Sequence, residues 1–198
     1  MPSTTAHKLA KGQKDISVSE FFEKNRQILG FDSPVKSLIM GVKEAVDNAL
    51  DACEEAQMLP EIVVRIDKID QKEYRVSVED NGPGIVSTSM PNVFGRLLYG
   101  SRFHAVRQSR GQQGIGISAT IMYGQITTGK AATARSKVEG AEAAKEIDII
   151  IDTKKNAPVL LREDFIPWNE KEHGTRVAFY MNGRYVTGKQ SVLEYLRQ

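Results

Sequence analysis

The chain has 198 residues and 22.0 kDa, 40% of them hydrophobic and 26% charged, which excludes whole-chain disorder and suits one globular domain with a short tail. No run approaches the ~20 apolar residues that span a bilayer, and the leading MPSTTAHKLAKGQK lacks the apolar centre of a signal peptide. A cytoplasmic chain with no membrane partner is expected. Cys53 is the lone cysteine, and with only His7, His104 and His173 beside it neither a disulfide nor a zinc scaffold is indicated.

Net charge is +2, but it is unevenly spread: the 58 residues from Asn81 to Val138 contain no Asp or Glu, against seven basic residues. A +7 segment therefore sits in a body of −5 and points to an anionic ligand, or to a nonspecific nucleic-acid patch.

In chain order, residues 1–14 read as a flexible leader and 15–198 as the folded domain. Ser17 and Glu20 form a capping-box signature ahead of a short helix carrying Phe21, Phe22, Ile28 and Leu29. Ser33 and Pro34 open a second helix to about Met58, with Val35, Leu38, Ile39, Val42, Val46, Ala49, Leu50 and Cys53 at helical spacing. Glu61–Ile69 and Glu73–Glu79 read as a hairpin ended by the turn Asp80–Gly84. A glycine-rich basic region follows to Gly116, then a helix over Ile117–Tyr123. Strands are expected at Gln125–Thr128, Glu146–Asp152, Pro158–Arg162 and Thr175–Met181, with a last helix at Ser191–Arg197. The sum is an α+β domain, a mixed or mostly antiparallel sheet with helices on one face.

Three groups carry chemistry. On the long helix Glu44, Asp47, Asn48 and Asp51 oppose the apolar face, and Glu44, Asn48 and Asp51 stack at i, i+4 and i+7. Unless that face is simply solvated, the line suits a hard cation such as Mg2+, which takes few protein oxygens when phosphates and water complete its shell. A neighbouring carboxylate can then orient or deprotonate water. Asp80-Asn81-Gly82-Pro83-Gly84 is either a plain turn or a turn whose aspartate accepts from an exocyclic amine while Gly84 admits a flat ring. Arg110-Gly111-Gln112-Gln113-Gly114-Ile115-Gly116 precedes a helix, where backbone N–H groups meet phosphates, or it is a linker. Gly124–Ala131 has the frame of a Walker A loop but carries Ala131 where that loop needs Ser or Thr, so it is set aside.

In this order the three groups resemble the nucleotide-binding boxes of the GHKL ATPases, a superfamily of gyrase-type topoisomerases, a heat-shock chaperone, histidine kinases and mismatch-repair ATPases. Glu20-Phe21-Phe22, the run Phe94 to Ser101 and His173-Gly174-Thr175 narrow the resemblance to the B subunits of archaeal type IIB topoisomerases, from about Ile16 onward. The resemblance implies the two-layer α/β sandwich of the Bergerat fold, ATP and Mg2+ as ligands, and Glu44 as the base that activates water. It makes Asn48 the metal ligand, with Asp51 supporting that helix face. It implies Asp80 as the residue that recognises adenine, Gly84 beneath the base, and Thr175 assisting through water. Ser101 and Arg102 match a nucleotide-contacting pair, and Gly111, Gln112, Gln113, Gly114, Ile115, Gly116, Ile117 and Ser118 match the phosphate loop and lid hinge. Implied partners are a second B subunit joined in an ATP-dependent dimer, an A subunit that cleaves, and double-stranded DNA. The family's helical insert and transducer find no match here, so an ATPase-domain fragment slow in turnover is expected. Another GHKL ATPase, of histidine-kinase or mismatch-repair type, and a noncatalytic basic nucleic-acid-binding domain are the other readings.

Overall fold

The computed structural model describes residues 29–99 and 116–197, together with Glu20, Phe22, Lys24, Arg26 and Gln27. The leader, Ser17, and the stretch from Gly100 to Ile115 lie outside the described residues. Glu20, Phe22 and Lys24 are helical, with Lys24 and Glu20 paired at 2.7 Å one turn apart.

The first long helix, α1 (Pro34–Glu55), starts as expected. Ser33 is extended and its Oγ accepts from Lys36 N at 3.3 Å, while Pro34 takes the first turn, where its missing N–H is harmless. It stops short of Met58 because Gln57 turns left-handed at φ 57°, and the N–H groups of Gln57 and Met58 donate to Glu54 O and Cys53 O at 3.1 and 2.8 Å. Its apolar stripe of Leu38, Val42, Ala45, Val46, Ala49 and Cys53 is buried.

Strands β1 (Ile62–Lys68) and β2 (Glu73–Asp80) form the expected hairpin. Two further elements have no counterpart in the sequence reading. Helix α2 (Met90–Gly95) buries Met90 and Phe94 in the region read as a basic loop. Strand β3 (Ala132–Lys137) alternates buried Ala132, Ala134 and Ser136 with partly exposed neighbours, a period-2 pattern hidden by the small size of its inward residues. Strands β4 (Ala144–Asp152), β5 (Ala157–Ile166) and β6 (Gly174–Asn182) extend the expected ones by a few residues, and α4 (Val192–Leu196) is capped by Ser191.

The expected strand at Gln125–Thr128 is instead the end of helix α3 (Gly116–Thr128). Its β-branched residues favour a strand, but Thr127 and Thr128 hydroxyls donate back to Tyr123 O and Gly124 O at 2.8 and 2.7 Å, and Gly129 ends the helix at φ 72°. The Gln125 amide also donates to Ile151 O and accepts from Ile151 N, at 3.0 and 2.7 Å. That pins the helix end to β4.

The sheet order is β1-β2-β6-β3-β4-β5, and all five pairings are antiparallel. The last strand, β6, is therefore the joint between the hairpin and the β3–β4–β5 meander. Helices α1 and α3 pack on it, with α2 against β4 and β5. Val76, Val78, Ile147, Ile149, Phe179 and Met181 fill the interior, and Phe31 stacks on Tyr123 at 4.8 Å between ring centres. The far side of the sheet is a charged lattice: Arg135 and Arg162 both reach Glu146, and Arg162 also reaches Asp148 and Asp164.

Candidate active site

Sheet register assembles one end of the site. Glu79 pairs with Arg176, so Asp80 at the end of β2 lies beside Thr175 at the start of β6, and Ser136 at the end of β3 is directly opposite Thr175. Asp80 is only 7% exposed. Its Oδ1 accepts from Gly82 N at 2.9 Å and Thr175 N at 3.1 Å, while its Oδ2 has no hydrogen-bond partner among the described residues. Burial pushes the carboxyl up to about 6; the two N–H donors and Lys171 pull it down, and Glu79 pushes it further up. A buried carboxylate with one oxygen fixed and one uncommitted is a prepared acceptor.

The turn after Asp80 is held on all sides. Asn81 accepts from Glu61 N at 2.8 Å and donates to Leu59 O at 3.0 Å. His173 Nδ1 lies 2.8 Å from Gly82 O and must carry the proton, since a carbonyl only accepts. Gly84 has φ 76°, and a β-carbon there would overlap the Lys137 carbonyl. Glycine is thus required at this position by β3 itself, a reason separate from the flat ring expected above it.

Helix α1 links this corner to the catalytic candidate. A β-carbon on Gly82 would touch Cys53 Sγ at 3.5 Å and Ala52 Cβ at 3.6 Å, so the C-terminal part of α1 adjoins the turn. Eight residues earlier, about 12 Å along the axis, Glu44 meets Gly116, where a β-carbon would overlap its carboxylate. Asn48 and Asp51 lie between. The base corner and the start of α3 are therefore joined by one helix, with the expected cation line along it.

That acidic face is not a solvated surface: Asp47 is 3% exposed and Asp51 5%. Asp47 is structural, ion-paired to Lys43 and accepting from Tyr195 OH at 2.6 Å, which ties α4 to α1. Burial raises the Glu44 carboxyl above its ordinary range, with Asp47 adding to the rise and Lys43 opposing it. A carboxylate shifted up this way is a better proton acceptor near neutrality. Among the described residues no cluster of three or more His, Cys, Asp or Glu could hold a metal. A cation here would depend on the Asn48 amide oxygen plus ligand and water oxygens, a set that suits Mg2+.

Among the remaining expected residues, Ile117 and buried Ser118 lie in the first turn of α3, which Thr120 closes by donating to Gly116 O at 2.9 Å. Ser101, Arg102, Gly111, Gln112, Gln113, Gly114 and Ile115 lie outside the described residues. Among the described residues of the acid-free segment three basic side chains are engaged within the fold: Lys130 pairs with Glu73, Arg135 with Glu146, and Lys137 Nζ donates to Lys171 O at 3.1 Å. Sequence reasoning missed Ser136 as part of the corner, and took His173 only as part of the His173-Gly174-Thr175 run. The signal for Ser136 was register, which no local pattern carries.

Comparison with known proteins identifies the family. The family described as histidine kinase-, DNA gyrase B-, and HSP90-like ATPase matches residues 35–182. The chain is 54% identical over all 198 residues to the B subunit of the type 2 DNA topoisomerase 6 of Methanococcoides burtonii, covering 32% of that protein. It is 56% identical over 186 residues, 93% of this chain, to its counterpart from Archaeoglobus fulgidus, covering 31% of it. The chain thus spans about a third of the length of the curated relatives it matches. In fold it is similar to the ATPase and transducer domains of DNA topoisomerase II from Balamuthia mandrillaris, with a TM-score of 0.55 and 20% identity over 73% of this chain and 37% of that one. Among the described residues no helix is long and apolar enough to cross a membrane. By the family match over most of its length, the chain belongs to the histidine kinase-, DNA gyrase B- and HSP90-like ATPase family.

Proposed function

We propose that the chain, with residues 15–198 as its GHKL domain, is the ATP-binding and ATP-hydrolysing part of a DNA topoisomerase VI B subunit. What supports this is α1, whose C-terminal part adjoins the turn after Asp80 and which carries Glu44 against Gly116, in a chain 54% identical throughout to named B subunits.

Asp80 Oδ2 accepts from the exocyclic amine of adenine, with Thr175 assisting through water and Gly84 beneath the base. The triphosphate runs along α1 toward the start of α3, where backbone N–H groups of the Gly111–Ser118 loop, with Ser101 and Arg102, meet the phosphates. Asn48 would hold Mg2+ through its amide oxygen, supported by Asp51, and the ion would neutralise phosphate charge. Glu44 orients water against the terminal phosphate and takes its proton.

In the complete enzyme, a cytoplasmic one, ATP joins two B subunits and so gates passage of double-stranded DNA, which the topoisomerase VI A subunit cleaves. The test is thermal unfolding with a nonhydrolysable ATP analogue and Mg2+. About 2.7 kcal/mol of stabilisation is expected at a hundredfold excess over Kd, lost in Asp80→Ala. No stabilisation of the unaltered chain, or full stabilisation of Asp80→Ala, would overturn the reading.

A further inference from the structure

At the end of the sheet away from Asp80, a cavity of about 550 Å3 is bounded by the start of α1, the β1–β2 turn, the end of α3 and the chain leaving β6. Tyr74 lines it, and six positions of β2, about 20 Å, separate Tyr74 from Asp80. The cavity therefore shares no residue with the base corner. Its volume is in the range of sites that take small molecules.

The lining is charged one way. Arg26, Lys68, Lys72 and Arg184 contribute to it, and among the described residues no Asp or Glu does. Arg26 lies over the Tyr123 ring, 5.4 Å from its centre. The side chains of Lys68, Lys72 and Arg184 have no hydrogen-bond or ion-pair partner among the described residues. Arg162, by contrast, reaches the carboxylates of Glu146, Asp148 and Asp164. Cations left uncompensated around one concavity repel one another and focus a positive potential into it.

A buried donor points the same way. Tyr74 is 7% exposed, and its hydroxyl accepts from Tyr185 N at 3.3 Å, so its hydrogen has no acceptor among the described residues. Such a hydrogen is costly to leave unused. The helix ends agree. Pro34 brings the positive end of α1 to the rim. The negative end of α3 is blunted, because the carbonyls of Tyr123, Gly124, Gln125 and Thr127 already accept from the Thr127 and Thr128 hydroxyls, Gly129 N and the Asn182 amide.

We infer that this cavity is a second anion site, for a small molecule carrying two or more phosphate groups. Lys68, Lys72 and Arg184 meet the phosphate oxygens, and the Tyr74 hydroxyl donates to one of them. The arginine fork holds two oxygens of one group while the lysines neutralise the next. The walls favour a free molecule, since a duplex is too broad to enter.

Inorganic pyrophosphate is the probe, titrated by calorimetry into the full chain with its nucleotide site first filled by a nonhydrolysable ATP analogue and Mg2+. Pyrophosphate is expected to bind, more weakly as salt rises. Lys72→Glu and Arg184→Glu should each weaken it about tenfold or more, and Tyr74→Phe about three- to tenfold. Lys154→Glu makes the same change of net charge in the exposed β4–β5 turn, toward the opposite edge of the sheet, and should alter affinity less than about twofold. Equal weakening there would reduce the effect to overall charge and overturn the inference, as would full affinity in Lys72→Glu and Arg184→Glu. Short duplex DNA is the second titrant. A chain that takes DNA through Lys72 and Arg184 but no pyrophosphate has a nucleic-acid surface here, and the small-molecule site is wrong. Should the analogue itself fail to bind, the ATP reading falls, while the dependence of pyrophosphate binding on Lys72 and Arg184 still decides this one.

Discussion

At the base end of the site, oxygens of Asp80, Ser136 and Thr175 from three strands are locked by hydrogen bonds of 2.7 to 3.1 Å, whereas the Glu44 carboxylate takes no hydrogen bond among the described residues. One end is prebuilt by the sheet; the other is a half-buried acid leaning on a glycine. Recognition needs a fixed acceptor, since every rotor left loose reduces selectivity. A base that must meet a water placed by the substrate is better left uncommitted, and burial is the main cause of its raised pKa, with Asp47 adding to it and Lys43 opposing.

The contrast is open to attack at both ends. The largest effect is expected at Glu44: Glu44→Gln should reduce phosphate release about 100- to 10,000-fold while ADP affinity stays within a factor of about three. Comparable loss of binding would show that Glu44 is part of the fixed end. Next is Gly84→Ala, which puts a β-carbon into the Lys137 carbonyl at φ 76° and should cost at least about 2 kcal/mol in denaturant unfolding.

A smaller and graded effect comes from pH. Between the unfolded value of 3.8 and about 6 the folded chain holds a proton on Asp80 that the unfolded chain has released. Stability from this group is therefore greatest below that window and falls as pH rises through it. Nucleotide affinity runs the other way, weakening by up to about tenfold per unit as Asp80 is protonated below about pH 6. Calorimetry of ADP binding from pH 5 to 8 measures it, and a flat profile would remove the ionised carboxylate from recognition. The smallest effect is at Tyr195→Phe, which removes the 2.6 Å bond to Asp47 and should lower stability by about 1–2 kcal/mol with ADP affinity unchanged. A change in affinity there would join Asp47 to the site.

Helix α1 was legible from its Ser33 cap, Pro34 and a stripe of large apolar residues sustained over about six turns. Strand β3 was not, because Ala132, Ala134 and Ser136 carry too little hydrophobic contrast to mark a face, though the strand is buried between β4 and β6. Gln125–Thr128 misled because β-branched residues favour strands until side-chain hydroxyls and a tertiary bond to Ile151 hold them in a helix. The candidate site divides similarly. Glu44, Asn48 and Asp80 stand in recognisable local motifs. Ser136 and the Glu44–Gly116 contact depend on pairings across 39 and 72 positions of chain, which no window of sequence contains.

The placement of β6 also bears on how the molecule comes into being. Until Gly174–Asn182 is available, the hairpin and the β3–β4–β5 meander are separate pieces, each exposing a raw strand edge at β2 and at β3. During synthesis both edges wait for a stretch that follows them in the chain, so the interval before it arrives is when self-association is most dangerous. Asp80 and Thr175 meet only when that stretch docks, so competence to hold ligand reports completion of the sheet, and a small molecule gripping the corner would act on folding yield as well as on the finished protein.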